Sequence, residues 1–226
     1  MSIFRNVEVS CPSCRAAVLV EPVHSVNAVR RPDLRAAILS GEFQRMACTC
    51  CGVNFRLEPE FSYLDAGRRQ FFVVRQTSKI AQCCELESRA TALFENSVAG
   101  SRRSAQWRGV LARVVFGWAG LREKLVACDA GVDDRILEVA KVAVMRTVGD
   151  MKLGPDCEFR LLSVTADMLT FGWLRSSTEE LDEELSVPRE LLSEIERQGD
   201  DWQALQRAVA GPMFVDYRRS LLGLAS

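Results

Sequence analysis

The feature that most constrains this chain is a pair of cysteine motifs separated by residues 15–47. The first motif is Cys11-Pro12-Ser13-Cys14, and the second is Cys48-Thr49-Cys50-Cys51-Gly52. A two-residue spacer lets both sulfur atoms of one tight turn face a common point, and two such turns complete a tetrahedral site at about 2.3 Å per sulfur. The sequence therefore predicts one structural zinc ion, bound by Cys11, Cys14, Cys48 and Cys51.

Neighbouring residues support this choice of ligands. Cys50 is left out because only Cys48 paired with Cys51 preserves the two-residue spacing. Pro12 stiffens the first turn. Gly52 supplies the positive φ that such a turn usually demands.

Two other uses of a Cys-x-x-Cys motif predict different surroundings. A redox dithiol usually lies at a helix N-terminus, where the helix dipole lowers the thiol pKa, whereas both motifs here lead into strand-like sequence. A catalytic zinc keeps one coordination position open and usually has histidine or a carboxylate among three ligands. The single histidine, His24, is expected to be a surface or packing residue of a strand. We therefore expect a closed, structural site.

Composition limits which cellular compartment and which class of protein the sequence is compatible with. There are nine cysteines, an odd number, and the N-terminus has no secretory pattern, so reduced thiols or metal ligands are favoured over a disulfide framework. Apolar residues make up 48% of the 226 residues, which excludes a disordered chain. The longest apolar run, Ile136–Met145, is interrupted by Glu138 and Lys141, so no membrane span is expected. These features predict a cytoplasmic protein.

The first third of the chain has the pattern of a β-rich module. Apolar and polar residues alternate from Val53 to Leu57, as in a half-buried strand. One helix is predicted from Pro32 to Ser40, with proline at its first position and Gly41 just past its end. Residues 1–76 are therefore predicted to form a zinc-ribbon-like β module.

From about residue 77 the apolar residues recur at helical spacing. The clearest helix is predicted at about 133–149, where Asp133 can cap the first turn and apolar side chains cover most of the circumference, as in a central buried helix. Two strand-like runs then predict a hairpin at about 158–174, followed by a helix at 188–198. Residues 77–226 are predicted to form an α+β body, so the fold class is α+β.

Arginine-rich stretches raise the alternative of nucleic-acid binding. Arg102, Arg103, Arg108 and Arg113, with Trp107 among them, could form a basic patch. Arginines of the N-terminal module could extend this patch: Arg5, Arg15, Arg30, Arg31, Arg45 and Arg56. The 29 basic and 30 acidic side chains nearly balance, however, so a solvated helix face is the favoured interpretation of residues 102–113.

Motifs that mark common enzymes are missing from the sequence. It contains no glycine-rich phosphate loop, no dinucleotide fingerprint and no Gly-x-Ser-x-Gly turn. Asp133, Asp134 and Glu138 lie near one helix start, but a capping role and the apolar character of the helix argue against a catalytic site there. The acidic run Glu179–Glu184 is interpreted as a solvated face. We therefore expect no enzymatic activity.

Several segments together resemble the bacterial CpXC domain. The resemblance is strongest over residues 8–75, where it rests on the first cysteine motif, the segment from Pro32 to Phe43 that contains the predicted helix, and the second motif ending in Gly52. It continues over 113–138 and, more loosely, at 214–217. Arg15 stands where glycine is commoner, and Thr49 where proline is commoner; these changes should affect turn stiffness and not ligation. The resemblance implies a zinc-binding bacterial cytoplasmic protein.

The expected role follows from a closed metal site, missing catalytic motifs and near-neutral charge. These features predict a non-enzymatic zinc-binding interaction protein, either an adaptor, a scaffold or an assembly subunit. Its expected partners are other proteins or further copies of itself. The alternative is a zinc-ribbon regulator associated with nucleic acid, for which binding should weaken steeply with salt.

Overall fold

Short strands dominate the first half of the chain, and longer strands and helices dominate the second. The structure is a computed structural model and describes residues 2–99, 109–148, 154 and 156–223. The strands are β1 (Ile3–Phe4), β2 (Val7–Ser10), β3 (Ala17–Val20), β4 (Val23–Asn27), β5 (Arg45–Ala47), β6 (Asn54–Arg56), β7 (Phe61–Asp65), β8 (Gln70–Arg75), β9 (Leu111–Phe116), β10 (Cys157–Val164), β11 (Met168–Arg175) and β12 (Leu181–Pro188). The helices are α1 (Pro32–Ser40), α2 (Cys83–Ala99), α3 (Gly117–Asp129), α4 (Asp134–Thr147), α5 (Glu190–Arg197), α6 (Gly199–Val209) and α7 (Arg218–Leu221), with a 3-10 helix (Thr77–Gln82) before α2.

The predicted α+β class is confirmed, with N-terminal strands and a cysteine cluster followed by a helical and sheet region. Contacts divide the chain into two units, one formed by Met1–Thr77 with Leu93–Trp118 and the other by Ser78–Ala92 with Ala119–Ser226. A division into independently folding domains at residues 76–77 stays a prediction, because a unit defined by contacts need not fold alone. Among the described residues, no helix is both long and apolar enough to cross a membrane.

The first unit contains a five-stranded mixed sheet with the order β1-β4-β7-β8-β9. Its centre is fully buried at Tyr63, Phe72 and Val73. Strand β9 pairs in parallel with β8, so residues 111–116 join this sheet although they follow residue 77, where the α+β body was predicted to begin. Arg113 lies on β9, is 7% exposed and donates to the carbonyl of Ala112. The favoured interpretation, a solvated helix face, is therefore wrong at Arg113, which is a buried strand residue. The other residues of this stretch, 102–108, lie outside the described residues.

Two separate hairpins, β2–β3 and β5–β6, also belong to the first unit and carry the cysteine motifs in their turns. Helix α1 lies between these hairpins in the chain. It begins at Pro32 as predicted, and Gly41 ends it with φ 81° in the left-handed region. The amide of Gly41 donates to Ile38, and that of Glu42 donates to Ala37, which satisfies carbonyls that a helix end otherwise leaves open.

The second unit packs helices onto the antiparallel sheet β10-β11-β12. One core includes Phe159, Phe171 and Trp173 of the sheet together with Leu137 and Ala140 of α4. At the start of α4, the Asp133 side chain accepts from the amide of Arg135, the capping role that the sequence predicted. The acidic run Glu179–Glu184 leads into strand β12, whose first four residues are exposed, so the solvated face is the start of a strand. Glu179 departs from that interpretation, because its side chain is only 11% exposed.

Charged side chains form a buried network between α3, α4, β10 and the C-terminal segment. Its members are Glu123, Lys124, Asp134, Glu138, Lys141, Glu158, Arg160, Asp216 and Arg218. Burial raises the pKa of Asp216, but Arg160 and Arg218 outweigh this effect and hold that pKa well below its usual range. Burial raises the pKa of Glu138, which also lies near Glu123 and Asp216. The stability of this network therefore depends on each buried charge keeping an oppositely charged partner.

Candidate metal centre

The two cysteine turns have the same backbone hydrogen bonds. In the first turn, the amide of Cys11 donates to Ala16 and the amide of Arg15 donates back to Cys11. In the second, the amide of Cys48 donates to Val53 and the amide of Gly52 donates back to Cys48. Because the two turns share this hydrogen-bond pattern, each turn brings its second cysteine back beside its first.

Each turn needs one residue with a positive φ, and the two turns meet this need differently. Gly52 has φ 73°, and Arg15 has φ 59° at the matching position. A side chain in the left-handed region costs about 1–2 kcal/mol, which glycine avoids. The sequence anticipated this role for Gly52, and the turn geometry places Arg15 in the same role with a residue that is poorly suited to it.

Four sulfur atoms meet between the two turns. Those of Cys11, Cys14, Cys48 and Cys51 all lie within 4.8 Å of one another. Cys11 Sγ and Cys51 Sγ are 3.7 Å apart, as are Cys14 Sγ and Cys48 Sγ. A tetrahedron with metal–sulfur bonds of about 2.3 Å has edges of about 3.8 Å. The residues present therefore fit a metal ion with four thiolate ligands, and they include the pair Cys48 and Cys51 that the spacing selected.

The surroundings of the sulfur atoms also suit thiolate ligands. The amide of Cys50 lies 3.4 Å from Cys48 Sγ and donates to it. Backbone amides that donate to the thiolates are what the two-residue spacing predicts, and Cys50 supplies one although its own sulfur is spare. The amide of Cys14 lowers the pKa of Cys11 to about 6. The amide of Ala16 acts in the same direction on Cys14, but the close sulfur of Cys51 and burial outweigh it, and the pKa of Cys14 is raised to about 12. Thiolates this close oppose one another's ionisation, and one cation among them removes that opposition.

A small core lies beneath the cluster. Cys11 and Cys48 are buried with Val18 and Val20, and four half-buried side chains pack against them: Val9, Met46, Phe55 and Leu57. Two of the four buried members are thus cysteines of the cluster. Burying so little apolar surface stabilises a fold weakly, so these hairpins need an additional stabilising interaction.

Other candidates from the sequence lie apart from this cluster. His24 is exposed on β4, as expected for a surface residue. Arg45 donates to the carbonyl of Gly41 and Arg56 to that of Phe43. The guanidinium of Arg56 also lies 4.0 Å from the centre of the Trp118 ring. These two arginines therefore have contacts within the first unit, and a role for them in nucleic-acid binding stays a prediction.

Comparison with known proteins agrees with the motif. A family model described as CpXC protein matches residues 9–141, more than half of the chain and a span that includes both cysteine turns. The chain belongs to the CpXC family. The Cys11-Pro12-Ser13-Cys14 turn is its copy of the CpXC motif, as the sequence resemblance predicted. No curated protein and no solved structure matches the chain.

The two positive-φ positions of this CpXC protein give a matched test of the turns. We expect Gly52→Ala to weaken metal binding about fivefold, because its backbone strain of about 1 kcal/mol is lost from coupled folding and binding. An added Cβ meets nothing within 4 Å there, so backbone strain is the only penalty. Arg15→Gly should strengthen binding by up to the same factor.

Chelator competition against zinc measures both effects. Gly199→Ala, in α6 with no positive φ and open space around the added Cβ, should leave zinc affinity unchanged. Equal affinity for the wild-type chain and the two turn variants would contradict the assignment of strain to these positions.

Proposed function

We propose that this CpXC protein is a non-enzymatic, zinc-stabilised interaction protein of the bacterial cytoplasm, acting as an adaptor, scaffold or assembly subunit. Zinc would be bound by Cys11, Cys14, Cys48 and Cys51. The observation that carries the proposal is the closed donor set, because four thiolates fill a tetrahedral shell and leave no position for a substrate. A cytoplasmic location suits thiols that must stay reduced to bind the metal.

The choice of zinc rests on ligand chemistry. A tetrahedral set of four sulfur ligands is typical of zinc or of iron–sulfur sites. One compact group of four cysteines suits a single ion, and zinc in such sites has a structural role. The bound zinc would hold the two hairpins together and present them as one rigid surface. Elemental analysis of protein purified from its host should give one zinc per chain and no iron.

The acidic side chains that could suggest an enzyme have structural partners. Asp133 caps α4. Asp134 lies 3.2 Å from Lys124, and Glu138 contacts Lys124 and Lys141 within the buried network. These contacts support a structural role for all three and a protein without catalytic function.

The alternative, a regulator associated with nucleic acid, draws less support from the described arginines. Arg31 pairs with Asp33 at 2.7 Å, and Arg45 and Arg56 donate to backbone carbonyls of their own module. Binding to mixed-sequence DNA or RNA at rising salt tests this alternative. Affinity that falls steeply with salt would favour it, because phosphate contacts release counterions.

Affinity capture from the native host tests the interaction role. A tagged wild-type chain should retain the same protein partner in repeated captures, and the metal-free Cys11→Ser chain serves as the matched comparison. Repeated captures without any partner, together with a monomer in sedimentation experiments, would contradict the proposal. A partner lost with Cys11→Ser would place its binding on the zinc module.

A further inference from the structure

The two edges of the second unit's sheet differ. At the β10 edge, the amide of Phe159 donates to Tyr217 Oη at 3.0 Å, and that of Leu161 donates to Glu123 Oε2 at 2.8 Å. Side chains therefore already occupy these two outward amides of the β10 edge. Strand β12 forms the other edge; in the part of the chain that the structure describes, it has β11 on one side and no strand on the other. Such an edge offers a row of backbone donors and acceptors to another chain.

The register identifies which backbone groups of β12 face outward. Just beyond the strand, the amide of Arg189 donates to the carbonyl of Asp167, so these two residues form a hydrogen-bonded pair. Hydrogen-bonded and non-hydrogen-bonded pairs alternate along an antiparallel ladder. The N–H and C=O groups of Ser186 and Glu184 consequently point away from β11. Pro188, the next outward residue, has no N–H and suits this edge position.

A groove of about 300 Å³ lies where β12 ends and α5 begins. Its lining is mainly apolar and comes from three elements of the second unit: Ala143, Val144 and Thr147 of α4, Val187 and Pro188 of β12, and Leu191 of α5. Glu190 and Glu194 also line it and are exposed. The groove thus combines an apolar floor with an acidic rim, next to the outward edge of the strand.

The charge around the β12 edge indicates what kind of partner can bind there. Asp182, Glu183 and Glu184 are exposed along β12, and Asp182 pairs with Arg175 at 3.2 Å. Residues 151–226 hold 14 acidic and 8 basic side chains. A second copy of this chain paired through β12 would bring two acidic strands together, which is unfavourable. Acidic residues also guard an edge against aggregation, but that role leaves the apolar groove at its end without explanation.

We propose that β12 and this groove bind an extended, basic segment of a protein partner. The segment adds to the sheet as a strand beside β12 and places one apolar side chain in the groove, while its arginines or lysines face the acidic side chains. This proposal rests on the proposed interaction role and names the surface and the partner chemistry for it.

A labelled model peptide tests the proposal on the full-length protein. The probe is a fluorescein-labelled peptide with the sequence Arg-Val-Arg-Val-Arg-Val-Arg-Leu, and its control carries glutamate in place of each arginine. We expect fluorescence anisotropy to show binding of the basic peptide only, weakening as salt rises. Ser186→Pro removes an outward N–H, so it should weaken binding about tenfold.

Ser186→Ala is the matched control for the strand, because it loses only the contact of the Ser186 hydroxyl with Thr170 Oγ1 at 3.2 Å. It should bind the peptide like the wild-type chain. The double variant Glu190→Lys/Glu194→Lys tests the groove without touching the strand, and it should weaken binding about tenfold and flatten the salt dependence. This second variant keeps the test decisive if Ser186→Pro does not fold by circular dichroism.

Several results would overturn the proposal. With the wild-type chain, these results are no binding of the basic peptide or equal binding of the acidic control peptide. With the variants, they are an unchanged peptide affinity of folded Ser186→Pro or of Glu190→Lys/Glu194→Lys. A wild-type dimer that Ser186→Pro dissociates would also overturn it. Affinity capture separates this proposal from the interaction role. A Ser186→Pro chain that still retains the wild-type partner would exclude this surface and leave the interaction role standing.

Discussion

Cys11→Ser is expected to abolish zinc binding and open both cysteine hairpins. Structural zinc contributes about 10–16 kcal/mol of apparent binding free energy, and in such a site this is folding free energy. The small core beneath the cluster cannot replace it, because Cys11 and Cys48 are two of its four buried members. Elemental analysis should fall from one zinc per chain to none. Trypsin should then cleave after Arg45 and Arg56, whose guanidinium groups are held on Gly41 and Phe43 while the hairpin is closed.

The rest of the protein should resist in the same experiment. Strands β7 and β8 have their own buried centre at Tyr63 and Phe72, and the second unit has a core without cysteine ligands. Cys50→Ser is the matched control, because its exposed sulfur lies outside the cluster and its amide contact with Cys48 Sγ is kept. Zinc retained by Cys11→Ser, or lost from Cys50→Ser, would show that other sulfur atoms bind the metal.

Lys141→Met is expected to lower the free energy of unfolding of the second unit by about 3–5 kcal/mol. Lys141 Nζ is fully buried and lies 2.8 Å from Glu123 Oε1 and 2.6 Å from Glu138 Oε2. Methionine fills similar space but leaves two buried carboxylates short of a cation, which is far more costly than losing an exposed pair. Because whole domains are stable by only about 5–15 kcal/mol, urea denaturation should show a large shift of the midpoint.

Two further variants separate buried from exposed charge. Arg89→Met removes a pair with Glu85 on α2 in which both side chains are largely exposed, and it should cost less than about 1 kcal/mol. Adding Glu123→Gln to Lys141→Met removes one of the two carboxylates left short of a cation and keeps an oxygen that can accept from the amide of Leu161. The double variant should therefore recover part of the lost stability. A cost for Lys141→Met no larger than that for Arg89→Met would contradict the buried network.

Features that depend on neighbouring residues could be predicted from the sequence. The cysteine turns, the helix from Pro32 to Gly41 and the cap at Asp133 each rest on a few consecutive side chains and the backbone geometry they favour. The choice of Cys51 over Cys50 also needed only the two-residue spacing within a turn. For the same reason, the family was recognisable from short motifs.

Features that depend on distant partners needed the tertiary structure. Strand β9 joins a sheet whose other strands lie before residue 77, and residues 111–116 carry no sign of that choice. Glu123, Lys141 and Arg160 have the appearance of solvated charges in the sequence, yet the fold buries them against one another. The acidic first half of strand β12 does not show the alternation of a half-buried strand, because Leu181, Asp182, Glu183 and Glu184 are all exposed. Local sequence determined the turns and caps of this protein, because their hydrogen bonds join residues only a few positions apart. Only the tertiary structure decided which strands pair and which charges are buried, because those contacts join segments far apart in sequence.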